Sequence, residues 1–160
     1  MYDYERRDEQ ENLDFQTTEK IMKGIFKQYN YNCECTQCPT YSHVDATMQV
    51  SNNKREKKYT VEIKSRYTEK YTSTMPLLTE KYVYIMQSTA QGVTPLIVYL
   101  LNNDIYYIFN LETLDLNCVD IGIWTIKEKE FSTEDKFVKK TVFFIPIELA
   151  SKSGKIHADN

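Results

Sequence analysis

Three side chains in the first half of the chain have the types and spacing for metal-assisted chemistry on a phosphate: Asp45, Glu62 and Lys64. Asp45 and Glu62 lie 17 residues apart, a distance that a strand, a turn and a returning strand can fold back on itself. Glu62 and Lys64 differ by two positions, so in a strand both leave the same face. Two carboxylates on rigid strands suit Mg²⁺, a hard cation that takes oxygen ligands and keeps several waters. The backbone carbonyl of Ile63, between the two side chains, offers a further oxygen. Such a metal would lower the pKa of a bound water and neutralise charge building on phosphorus. Lys64 would orient that water or stabilise the developing oxyanion.

The neighbouring residues supply the required strands. Over 43–50, Val44, Ala46, Met48 and Val50 alternate with His43, Asp45, Thr47 and Gln49. Over 59–67, Tyr59, Val61, Ile63, Ser65 and Tyr67 alternate with Thr60, Glu62, Lys64 and Arg66. Both are period-2 patterns of half-buried strands, and the polar SNNKREK between them reads as the turn of an antiparallel hairpin. Before the hairpin, Leu13, Ile21, Met22, Ile25, Phe26 and Tyr29 recur at helical spacing over about residues 5–29. CECTQCPTYS follows as a short strand broken by Pro39. After the hairpin, a second helix is expected over about 75–91, with Thr74 as N-cap, Pro76 near the first helical position and Gly92 at its end. TPLIVYLLN is a continuous apolar run of strand length, the mark of a strand covered on both faces. IYYIFN, IGIWTIKEKE and KFVKKTVFFIPIEL read as further strands, the last two around a charged FSTED loop. The fold class is therefore α+β (mixed α/β). Residues 1–150 are expected to form a single domain and 151–160 a frayed, disordered tail.

Composition bounds the function. A chain of 160 residues suits one core. Its 13 Tyr and seven Phe favour sheet. No apolar stretch reaches membrane-span length, and the charged N-terminus MYDYERRDEQEN lacks a signal core. A cytoplasmic location, host cytoplasm included if the source is viral, is the resulting expectation. The net charge of −3 argues against a molecule-wide attraction to nucleic acid. Local basic runs at Lys54-Arg55-Glu56-Lys57-Lys58 and at Lys64, Arg66 and Lys70 could still flank a substrate. Cys33, Cys35, Cys38 and Cys118 are too crowded for a disulfide framework, and C-x-C-x-x-C is not a usual zinc spacing, so reduced thiols are expected. With only His43 and His157 present, nucleophilic Cys–His or Ser–His chemistry has little support. Tyr82 and Tyr84 on the second helix could stack bases, although core packing is the simpler account.

His43-Val44-Asp45 followed by Glu62-Ile63-Lys64 resembles the PD-(D/E)XK nuclease superfamily, with Val44 where the usual Pro stands. The shared core of that superfamily is helix, three strands, helix, strand, and the order read above resembles it over roughly residues 10–110. The resemblance implies a restriction-endonuclease-like core with extra C-terminal strands. It implies Mg²⁺- or Mn²⁺-dependent phosphodiester hydrolysis in DNA, in repair, recombination or phage-type processing. By it Asp45 and Glu62, with the Ile63 carbonyl, are metal ligands and Lys64 is the catalytic lysine. Many members add an acid from the first helix, for which Glu19 and then Glu11 are the candidates, and some a basic or amide residue from the second, where Lys81 and Gln87 stand. Arg66, Lys70 and Lys81 become candidate nucleic-acid contacts. DNA is the implied partner, and a homodimer is implied where two strands are cut. The alternative is a catalytically inactive module on the same fold that binds nucleic acid or protein.

Overall fold

The computed structural model describes residues 4–70, 72–127 and 136–157. The chain opens with α1, Tyr4–Lys27. Its buried stripe is Thr18, Ile21 and Met22, with Phe15, Ile25 and Phe26 packed beside them. Leu13 and Tyr29, expected on that stripe, are exposed instead. The helix stops where Asn30 adopts a positive φ of 60°. Asn30 N–H then bonds Lys27 C=O at 3.1 Å and Tyr31 N–H bonds Phe26 C=O at 3.0 Å, which satisfies carbonyls that the helix end would leave unpaired.

Strands β1 (Asn32–Gln37), β2 (Ala46–Ser51) and β3 (Glu56–Arg66) form an antiparallel meander. The chain then crosses over through β4 (Thr74–Leu78) and α2 (Thr79–Ser88) to β5 (Val93–Leu101), which pairs parallel to β3. β6 (Ile105–Asn110) and β9 (Lys152–Lys155) complete a six-stranded mixed sheet in the order β1-β2-β3-β5-β6-β9. β7 (Asp120–Lys127) and β8 (Phe137–Pro146) join β4 in a three-stranded antiparallel sheet, β4-β8-β7. The architecture is α+β.

Two cores flank the large sheet. On one face Ala46, Met48, Val50, Val61, Val98 and Leu100 pack under α1. On the other, Ile97, Tyr99 and Phe109 meet Ile85 of α2, Met75 and Leu77 of β4 and Ile145 of β8. β5 contributes to both, so its unbroken apolar run follows from double coverage.

Three expectations are corrected. Residues 75–78 are a strand, not the first turn of the second helix: Met75 and Leu77 alternate into the core opposite Ile145 and Phe143, and Pro76 is tolerated because β4 is an edge strand. Val44 is buried in the α2-side cluster whereas Ala46, Met48 and Val50 face α1, so the regular alternation starts at Ala46 rather than at 43. The segment 151–160, expected as a disordered tail, supplies β9, because the free edge of β6 accepts it as a further strand. The expected FSTED loop lies outside the described residues.

Candidate active site

β3 runs past the start of β2: Ala46 sits opposite Val61, so from Glu62 onward no strand among the described residues lies beside the β2-facing edge of β3. Asp45 fills that gap. Its N–H bonds the Val61 carbonyl at 3.0 Å, and its own carbonyl accepts the Cys38 N–H at 2.8 Å. Its carboxylate Oδ2 accepts the Ile63 N–H at 2.6 Å. The backbone of Asp45 is therefore pinned between the end of β1 and β3, and its side chain caps the ladder.

Glu62 points from β3 toward α2 and is 1% exposed. Lys64 Nζ lies 2.7 Å from Oε1, and Lys81 Nζ, from α2, lies 3.0 Å from Oε2. Oε2 is fully buried yet has no hydrogen bond of proper alignment, so the Lys81 contact is purely an ion pair. A buried carboxylate costs several kcal/mol of desolvation unless cations and hydrogen bonds offset it. Here one acid draws two ammonium groups from two different elements. Asp45 feels the same site: burial first, then the Glu62 charge, push its carboxyl up to about 6 against the lowering effects of the Ile63 N–H, Lys64 and Lys81. Asp45, Glu62, Lys64 and Lys81 thus form one electrostatic cluster at the end of β3.

Compared with known proteins, the sequence matches no family model and no curated protein.

The cluster unites the three residues expected from the sequence and adds Lys81 as a direct partner of Glu62. Arg66 ends β3 on an exposed position and Lys70 is exposed in the loop beyond. The Lys54–Lys58 run sits at the opposite end of β3, its nearest member Lys58 on the order of 13 Å from Glu62 along the strand. Glu19, expected as the α1 acid of the site, is not part of it. It bonds Lys23 at 2.8 Å and neighbours Cys33 and Cys35 on the far face of the sheet. Glu11 pairs with Arg7 at 2.6 Å and lines a cavity of about 450 Å³ with Asp8, Asn12, Gln37 and Thr40. Gln87 is exposed on α2.

The α1 acid that does reach β3 is Asp14, which sequence reasoning missed. Ser65 Oγ donates to it at 3.2 Å, and burial raises its carboxyl pKa. It meets the α1-side face, opposite to Glu62. Its spacing of four from the buried Thr18 puts both on one helix stripe, a signal readable in advance.

The other candidates separate. His43 stacks on Tyr84 of α2, with ring centroids 5.5 Å apart and planes 11° apart. Tyr82 instead packs edge-on against Phe143 at 5.4 Å. Cys33 and Cys35 Sγ atoms lie 3.8 Å apart under α1, Cys38 packs against the α2-side core, and Cys118 is exposed beside Asp115. Among the described residues no three His, Cys, Asp or Glu side chains converge as a metal cluster, and no helix is long and apolar enough to cross a membrane.

Proposed function

We propose that this chain is a Mg²⁺- or Mn²⁺-dependent phosphodiesterase acting on DNA, of the PD-(D/E)XK type, with Asp45, Glu62 and Lys64 as its core. The observation that carries the reading is the buried Glu62, held beside Asp45 by lysines from β3 and α2 where β3 outruns β2. The element order α1, β1–β3, β4, α2, β5 supports it: with β4 set aside in the second sheet, it parallels the helix, three strands, helix, strand core of that superfamily.

The donor set fits a hard divalent cation. Asp45 and Glu62 offer carboxylate oxygens, and the Ile63 carbonyl lies on the same unpaired edge of β3. Glu62 Oε2 is a buried oxygen whose contact is the Lys81 ion pair at 3.0 Å, and burial first, then the Glu62 charge, raise the Asp45 carboxyl. Mg²⁺ is commonly bound through one or two carboxylates plus substrate phosphate, so two acids suffice. When bound, such a cation would activate a water and neutralise charge on the phosphate.

This chain's own residues do the rest. Asp45 is oriented by the Ile63 N–H, which fixes one oxygen and leaves Oδ1 for the ligand side. Lys64 places a positive charge 2.7 Å from Glu62, where it stabilises negative charge developing on the phosphate oxygens. Lys81 brings a second cation from α2 and holds the substrate phosphate. α2 shields this cluster on one side, which strengthens each of these interactions.

A panel of plasmid, single-stranded and branched DNA, incubated with and without Mg²⁺ or Mn²⁺, tests the proposal. Metal-dependent cleavage that is lost in Asp45→Ala and Glu62→Ala is the expected result. Cleavage that survives both substitutions places the site elsewhere. DNA binding without cleavage under any metal assigns the fold to a binding module.

A further inference from the structure

One aromatic pair beside the cluster has no role in the core. α2 buries Ile85 and packs Tyr82 and Met86 against the hydrophobic interior, whereas Tyr84 is 52% exposed. Its ring lies nearly parallel to that of His43, which is itself exposed on the loop that leads into Asp45. Lys81, the partner of Glu62, is three residues before Tyr84 and so stands one helical turn away on the same side of α2. A flat, solvent-facing pair of rings therefore adjoins the cations and carboxylates of the site.

We propose that the His43–Tyr84 pair is a stacking platform for an unpaired nucleobase, so that the substrate class of the site is single-stranded or frayed nucleic acid rather than intact duplex. This rests on the phosphodiesterase reading for the site itself, but the platform is tested separately by binding. Every base has a π-face, so stacking on an aromatic ring holds a strand without reading its sequence. In a duplex those faces are covered by neighbouring base pairs and only the ends offer them. Lys81, with Arg66 at the end of β3 and Lys70 beyond it, supplies the positive charge that a strand backbone needs. The neighbouring side chains fit this use: the loop that presents His43 also carries Tyr41, 97% exposed. Tyr82, only two residues from Tyr84, is committed to Phe143 and is not available to a base.

The test is fluorescence anisotropy with a labelled single strand, the matching blunt duplex and a single-stranded RNA of the same sequence, in EDTA so that no cleavage occurs. The full chain should bind the single strand more tightly than the duplex. Tyr84→Ala should weaken single-strand binding roughly 5- to 150-fold, the range expected for loss of one stacked base. Tyr84→Phe should restore it, and His43→Ala should weaken it in the same direction. Tyr29→Ala, which removes an equally exposed ring beyond the end of α1, should leave binding unchanged. The RNA should bind within a few-fold of the DNA, because both carry the same base faces. Equal affinity for strand and duplex, an unaffected Tyr84→Ala variant at unchanged thermal stability, or binding confined to one sugar overturns the platform. Because the assay contains no metal, metal-dependent cleavage with a failed platform removes only this inference. A working platform without cleavage removes only the phosphodiesterase reading.

Discussion

Glu62 and Glu19 are both acids that the sequence offers to a catalytic site, and the structure gives them opposite surroundings. Glu62 is buried on the α2 face of β3 and contacts ammonium groups from two elements. Glu19 lies on the α1 face and pairs with Lys23 one helical turn away, with both side chains part-exposed. The second arrangement is an ordinary i,i+4 surface pair, worth about 0.3–0.5 kcal/mol. The first has no such economy: a buried carboxylate between two lysines is costly to desolvate, and replacing such a cluster as a whole with apolar groups of similar volume is often neutral or stabilising. A charged cluster kept at that cost, beside a second acid whose carboxyl is pushed up to about 6, has the perturbed electrostatics expected of a working site.

That contrast can be broken or sharpened by substitution. The largest effect is expected for Glu62→Gln, which removes the proposed metal-binding carboxylate and should lower metal-dependent cleavage of DNA at least 100-fold in a single-turnover assay. The same change at Glu19 belongs at the other end of the scale. Next in size is Lys81→Met, which leaves Glu62 with one cation. Breaking a buried pair costs about 3–5 kcal/mol, and the partial exposure of Lys81 reduces this to about 2 kcal/mol, visible as a lower urea midpoint at unchanged slope.

Asp45→Asn should act on stability in the opposite direction and by a similar amount. The carboxyl of Asp45 is raised from 3.8 to about 6 in the folded protein. Below pH 3.8 both states hold the proton and the group is silent. Between 3.8 and about 6 the unfolded chain ionises first, so stability falls as pH rises, and above 6 the full penalty remains. Asparagine removes the charge and keeps an acceptor for the Ile63 N–H. In EDTA the variant should therefore be more stable than the parent above pH 6, by on the order of 3 kcal/mol, and nearly equal to it near pH 3.5. Thermal melts at the two pH values check this. The smallest effect is Glu19→Gln, with cleavage within twofold of the parent and a stability change below about 0.5 kcal/mol. A Glu19→Gln variant as inactive as Glu62→Gln would erase the contrast between the two acids.

The parts of the fold legible in the sequence are those decided by local periodicity. The alternation from Tyr59 to Ser65 places Glu62 and Lys64 on one face whatever else the chain does, and β3 carries them so. The apolar run of β5 announces its double coverage in the same way. What escaped was set by partners distant in sequence. Thr74 and Pro76 imitate a helix start, and only the pairing of Met75–Leu78 with Val142–Ile145 makes the segment a strand. The phase of α1 against the sheet is obscured by the exposed Leu13 and Tyr29, which is why the periodicity points to Glu19 and Glu11 and passes over Asp14. Lys81 was recognisable as a cation on the second helix, but its contact with Glu62 depends on how that helix docks over β3 and β5.

The central claim is that Asp45 and Glu62 jointly hold the divalent cation used to cleave a phosphodiester. Its most direct test is the rate of single-turnover DNA cleavage as Mn²⁺ is titrated into the parent and into Asp45→Asn. The account predicts saturable, metal-dependent cleavage by the parent and none above background for the variant at any metal concentration, although the variant remains folded. Equal rates and equal metal dependence for the two proteins would contradict it.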